Sequence, residues 1–276
     1  MGPTDSSTPG ATSAIEAPIK FVQYGEKAVF YPTNRAKSYW PVDEHRVPIY
    51  DMRPVAGELS LEKNGFVLLR EPTRVTRFSD AQQIKDIYYP EIYALLKRLT
   101  GADKVIAFGE MVRGDRAGTS DGALPSYGAH VDYQDMTVRQ FATQILGEQE
   151  AEERLKGRYM LINVWRPIKP VRRTPLAVCD ASTVKRSDLH DSEVRGGLGD
   201  PNRPSMWGFN VSYNPAQRWF HAPNMEPDEA LAFKLFDSDP TRVQWTGHTA
   251  FDDPTSAPDA PPRESIEIRT ISFLPR

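Results

Sequence analysis

Tyr159-Met160-Leu161-Ile162-Asn163-Val164-Trp165-Arg166-Pro167-Ile168 is rich in β-branched and aromatic residues and has no helical spacing. It reads as a strand. Strand geometry puts Leu161, Asn163 and Trp165 on one face and Val164 and Arg166 on the other. The same texture repeats toward the C-terminus in Leu176 to Cys179, Trp207 to Tyr213, Arg218 to His221, Ala230 to Phe236 and Ser265 to Phe273, with Pro, Gly and Asp turns between. Ser187 to Ser205 is polar and Gly-rich and reads as a long flexible loop.

Upstream the pattern is more helical. Gly65 to Leu69 is a first strand, and Ser79 stands three residues before Gln82, the spacing of a capping box. Ile84, Ile87, Tyr88, Ile92, Leu95, Leu96 and Leu99 follow at helical spacing, with Pro90 as a break or kink and Gly101 as the stop. After a strand at Lys104 to Phe108, a second amphipathic helix is expected from Asp135 to Lys156, weakened at Gly147. Phe21 to Pro54, rich in aromatics and prolines, shows no sustained period and reads as an extended segment covering the rest. Met1 to Pro18 reads as a disordered tail. Helices first and strands after predict an α+β, mainly β chain: a β-sandwich or jelly-roll core faced by helices, in one domain over residues 19–276.

Composition narrows the class. A net charge of −3 without a basic stripe gives no support for binding nucleic acid or an anionic membrane surface. The single cysteine, Cys179, can build neither a disulfide framework nor a Cys-rich zinc site, so a reducing, cytoplasmic setting is expected. No secretory leader and no 18-residue apolar span are visible. Oligomeric state is open, a homodimer being one option.

Five histidines are present: His45, His130, His190, His221 and His248. His130 precedes Asp132 by two, so on a strand both side chains meet one point. A histidine from a later strand would complete a two-His, one-carboxylate triad, leaving room on octahedral iron(II) for a bidentate oxo-acid and dioxygen. His248 is the first choice for that third ligand and His221 its rival. Fifteen residues after His248 come Arg263 and Ser265, again i and i+2, a fork and a hydroxyl suited to the far carboxylate of 2-oxoglutarate. Asn163 and Trp165 could line the cofactor pocket, or be a hydrogen-bonded core Asn and a core Trp. The same triad would also serve a zinc hydrolase of cupin type, or a small-molecule binder without activity.

Several longer blocks carry a resemblance: Tyr88 to Glu91, Asn163 to Pro167, Pro175 to Asp180, Asp228 to Leu231, His248-Thr249-Ala250-Phe251-Asp252-Asp253-Pro254 and Arg263 to Arg269. On these the chain, from about Phe21 onward, resembles fungal and bacterial oxygenases of secondary metabolism: hydroxylase/desaturases of aspergillic-acid type, gibberellin desaturase-like proteins, a cephamycin methoxylation protein and a meroterpenoid endoperoxide-forming enzyme. The resemblance implies a double-stranded β-helix, Fe(II), 2-oxoglutarate, dioxygen and a small secondary-metabolite substrate. It favours His248 over His221, whose position the family fills more often with another residue.

Overall fold

The computed structural model describes residues 13–31, 34–114, 124–195 and 204–276. Strands are numbered along the chain. Five form one antiparallel sheet in the spatial order β4 (Phe66–Arg70), β12 (Glu229–Asp237), β7 (Tyr159–Pro167), β14 (Glu264–Phe273) and β5 (Lys104–Gly114). Nine form a mixed sheet in the order β1 (Ala14–Val22), β3 (Val42–Asp51), β11 (Trp219–His221), β8 (Leu176–Cys179), β13 (His248–Ala250), β6 (His130–Val131), β10 (Pro204–Val211), β9 (Leu189–Arg195) and β2 (Ala28–Phe30). This second sheet curls: β1 returns to β10 through a Val22–Ser212 bridge, and Ala129 N donates to Lys20 O at 2.8 Å.

β7 is buried at every position because both faces of its sheet are covered. Leu161 and Trp165 pack inward with Phe233 and Leu235 against Val131, Val178 and Phe220 of the curled sheet. Met160, Ile162 and Val164 pack outward on Ile92, Leu95 and Leu96 of helix α2 (Tyr89–Thr100). Arg166, on the outer face, serves structure: it donates to Tyr88 Oη at 3.0 Å, to Pro227 O at 2.7 Å and to Glu71 O. The result is a mainly β jelly roll with flanking helices, as the run of strands implied.

Four expectations need correction. The tail expected to reach Pro18 ends sooner, since Ala14 to Pro18 already pair in β1; residues 1–12 lie outside the described residues. The segment Phe21 to Pro54 supplies part of β1 and all of β2 and β3. The loop expected over Ser187 to Ser205 contains β9 and the start of β10, while residues 196–203 lie outside the described residues. The helix expected over Asp135 to Lys156 is two, α3 (Asp135–Leu146) and α4 (Glu148–Leu155), split at Gly147 with φ 80°.

The first helical region starts at α1 (Ala81–Gln83), capped by Asp80, not Ser79; Asp80 Oδ1 accepts from Gln82 N and Gln83 N. A π-helical turn at Ile84–Tyr88 leads without a break into α2, and Pro90, which has no N–H to donate, stands just after that turn. Gly101, at φ 74°, stops α2 as expected.

Candidate metal and co-substrate site

Register decides which histidines can meet. His248 of β13 pairs across to His130 of β6 on one side and to Val178 of β8 on the other. His221 of β11 pairs with Ala177, the neighbour of Val178. Cross-strand partners share a face and consecutive residues alternate, so His221 points to the opposite side of the sheet from His248. There it is buried, with its ring edge-on to Phe251 at 5.5 Å and Nδ1 without a partner. Burial pushes its pKa down.

His130 and His248 converge on Asp132, which follows β6. His130 Nε2 lies 3.4 Å from Asp132 Oδ1 and His248 Nε2 lies 3.6 Å from Asp132 Oδ2. One ligand atom from each of the three residues falls within 4.8 Å of the others, the single such His/Cys/Asp/Glu group among the described residues. His130 Nδ1–H can donate to Gly128 O at 2.8 Å and His248 Nδ1–H to Thr246 O at 3.3 Å. Those bonds fix the tautomer that leaves each Nε2 lone pair aimed at the common point.

Asn163 reaches the cluster from the facing sheet, its Nδ2 donating to Asp132 Oδ2 at 2.8 Å. Burial alone would push the Asp132 carboxyl up, but the imidazoles of His130 and His248 beside it outweigh this and hold it well below the usual range. Burial likewise opposes protonation of His248, and the Asp132 carboxylate beside it overcomes this, raising its pKa.

Arg263 and Ser265 stand at the head of β14 on its inner face, both buried. The Arg263 guanidinium carbon lies 5.5 Å from the Trp165 ring centroid, and its Nη1 donates to Thr174 O at 2.8 Å. Ser265 Oγ is buried with no hydrogen-bond partner. Trp165 pairs with Glu267 and Asn163 with Arg269. Along β7, therefore, Asn163 serves the His130–Asp132–His248 cluster, and Trp165, one inward step further, carries Arg263.

Three contributors were missed in the sequence. Arg269 continues the inward series Arg263, Ser265, Glu267; it is partly buried beside Tyr133, Asp132 and Glu267, whose negative ends outweigh desolvation and raise its pKa. The alternation rule, extended four residues, would have found it. Asn210 of β10 pairs with His130 and so shares its face. Trp40 lies over Gly128, where an added Cβ would come within 2.4 Å of the indole. Neither Asn210 nor Trp40 has a local pattern that signals this. Together with Phe30, Tyr127, Val194 and Met206, they line a cavity of about 310 Å³ that reaches His130, Asp132 and Arg269.

The chain was compared with known proteins. A family model described as an oxidoreductase/YMDC permease-like domain matches residues 16–273. Among the described residues no helix is long and apolar enough to cross a membrane. The hydroxylase/desaturase efuI of Hormonema carpetanum is 36% identical over 251 residues, covering 82% of this chain and 83% of the relative. The Fe(II)/2-oxoglutarate-dependent dioxygenase nvfI of Aspergillus novofumigatus is 30% identical over 236 residues, 83% of each. The solved structure of the iron and alpha-ketoglutarate-dependent endoperoxidase NvfI superposes with a TM-score of 0.85 at 27% identity, over 95% of this chain and 99% of that one. With the His130–Asp132–His248 cluster in the matching fold, the chain belongs to this oxidoreductase family of iron(II)- and 2-oxoglutarate-dependent oxygenases.

Proposed function

We propose that His130, Asp132 and His248 hold the iron, that Arg263 and Ser265 take the far carboxylate of 2-oxoglutarate, and that the oxidation falls on a C–H bond of a small secondary-metabolite skeleton. The observation that carries this reading is the joint placement of a two-imidazole, one-carboxylate cluster and a buried Arg263–Ser265 pair inside one sandwich. When bound, iron(II) with 2-oxoglutarate and dioxygen supplies the oxidising power, with release of succinate and carbon dioxide.

The protein's share is placement. Gly128 O and Thr246 O hold the two imidazoles in their ligating tautomer. Asn163 turns the Asp132 carboxylate toward them. Trp165 gives Arg263 a flat support, and Ser265 Oγ has its hydrogen bond still to make. Asn163 and Trp165 stand one i, i+2 step apart, about 7 Å, a span matched by a five-carbon diacid. The inward-facing Arg263 and Ser265 favour this reading over a zinc hydrolase, which has no task for them. We further propose that the described chain from Ala14 onward works as one oxygenase domain.

The test is succinate formation from 2-oxoglutarate by the iron-loaded protein. Arg263→Gln should raise the KM for 2-oxoglutarate at least tenfold while bound iron stays at the wild-type level. Unchanged KM would remove Arg263 from the co-substrate site.

A further inference from the structure

The 310 Å³ cavity beside the cluster lies between β5 and β14 on one side and β2, β9 and β10 on the other. Its lining includes His130 and Asp132 but none of Trp165, Arg263 and Ser265. It is thus a space on the far side of the metal centre from the proposed carboxylate anchor. The volume is at the small end of the ~300–1,000 Å³ range of ligand pockets. Phe30, Trp40, Val194 and Met206 make its walls mainly apolar.

Two residues of that lining, Trp40 and Asn210, each carry an unmatched polar atom. Trp40 Nε1 and Asn210 Oδ1 are both buried with no hydrogen-bond partner. Asn210 is 3% exposed and faces the same way as His130, with which it pairs. A buried polar atom left unmatched costs roughly 1–3 kcal/mol, so both atoms favour a ligand that satisfies them. At the inner end Arg269 meets Glu267, and Arg113, which also lines the cavity, donates to Leu124 O.

Resting on the oxygenase reading above, we propose that this cavity selects a compact ring compound through two hydrogen bonds. Trp40 Nε1–H donates to a carbonyl or ether oxygen of the substrate. Asn210 Oδ1 accepts from a hydroxyl or amide N–H. The apolar walls take the ring face, and the bond to be oxidised lies beside His130 and Asp132. Trp40 and Asn210 are then specificity residues: a site built to pair such groups rejects analogues that lack them far better than an apolar pocket rejects a size mismatch.

Three bicyclic probes of nearly equal size separate the contributions: tetralin, with neither group; 1-tetralone, with the acceptor; and 3,4-dihydroquinolin-2(1H)-one, a lactam with acceptor and donor. Binding is measured anaerobically by calorimetry on protein loaded with iron(II) and 2-oxoglutarate. The lactam should bind at least tenfold more tightly than tetralone, and tetralone at least tenfold more tightly than tetralin. Trp40→Phe should erase the tetralone advantage over tetralin, and Asn210→Leu the lactam advantage over tetralone. Equal binding of the three probes, no binding of the lactam, or variants that keep the wild-type ranking would overturn the proposal. Iron content and 2-oxoglutarate-dependent succinate formation by the wild-type protein report separately on the oxygenase reading. If those hold and the ranking is flat, only the cavity assignment falls.

Discussion

Asn163 joins the two sheets at the point where the ligands converge. It projects from the inner face of β7 and donates to a carboxylate borne by the other sheet. An outer hydrogen bond of this kind sets the ligand's angle, and losing it typically costs about 10–100-fold in metal affinity. Asn163→Leu keeps the bulk and removes the donor. Its iron(II) affinity, measured by competition with a chromophoric chelator, should fall by about that factor with the far-UV spectrum unchanged; wild-type affinity would deny Asn163 a positioning role. At this scale the sequence was informative where local spacing carries geometry. His130-x-Asp132, Arg263-x-Ser265 and the inward pair Asn163 and Trp165 all follow from strand alternation. The choice between His248 and His221 was less accessible, because it depends on which β8 residue each one faces, a long-range register. Trp40 was illegible for the same reason: its partner, Gly128, is far along the chain.

Among the elements, β10 packs tightly beside β6, the strand of His130. At Gly208 an added Cβ would stand 2.6 Å from Asp132 O and 2.7 Å from Val131 O, both backbone atoms that have no rotamer to give way. Gly208→Ala should therefore push β10 and β6 apart. We expect a loss of about 1–3 kcal/mol of stability, the usual cost of overpacking, together with weakened iron binding; a variant with wild-type melting and iron affinity would contradict the contact. In the C-terminal half β7, β8, β10, β11, β12 and β14 were legible to within a few residues because they are β-branched or aromatic runs. β1 and β3 were missed because they carry Pro18 and Pro48 and many charged residues, a composition that edge and near-edge strands tolerate. β9 was missed because its sequence is polar; its buried Glu193 is held by Arg195, two residues on, and by the distant Lys27.

For the molecule as a whole, stability rests on a sandwich whose five-stranded layer also carries a buried ionic cluster at one end. Lys234 and Asp237 are fully buried and meet at 2.8 Å, and Arg158 Nη2 reaches the same Asp237 carboxylate at 2.7 Å. Burial pushes Asp237 up, but Arg158 and Lys234 outweigh it and its pKa is lowered. A depressed carboxylate stabilises the fold above its unfolded value of about 3.9, and that stability is lost as pH falls through the folded pKa. Asp237→Asn should cost about 3–5 kcal/mol at neutral pH, and the gap to wild type, read from urea midpoints, should shrink below about pH 4. A pH-independent gap would mean the effect is one of shape, not charge. The fold class was legible from the run of short strands in the second half of the chain, although β1 to β4 already precede the first helix. The curl that returns β1 to β10 was not, since it depends on contacts between distant segments.

β6 spans only two residues, His130 and Val131, and Asp132 already lies beyond it. Two of the three proposed ligands thus ride on one of the least anchored pieces of the sheet, with His248 on the three-residue β13 beside it. Iron clasping all three would do the work of several absent ladder bonds, and binding to the native state alone stabilises it by mass action. Amide exchange across β6 and β13 should accordingly slow on metal loading, while α2 is unaffected. Inside a cell, the same weak seam would open first when iron is scarce. The protein's half-life, followed by pulse-chase with and without a chelator, should shorten on iron withdrawal, tying the amount of enzyme to its metal supply without a separate sensor; an unchanged half-life would break that link.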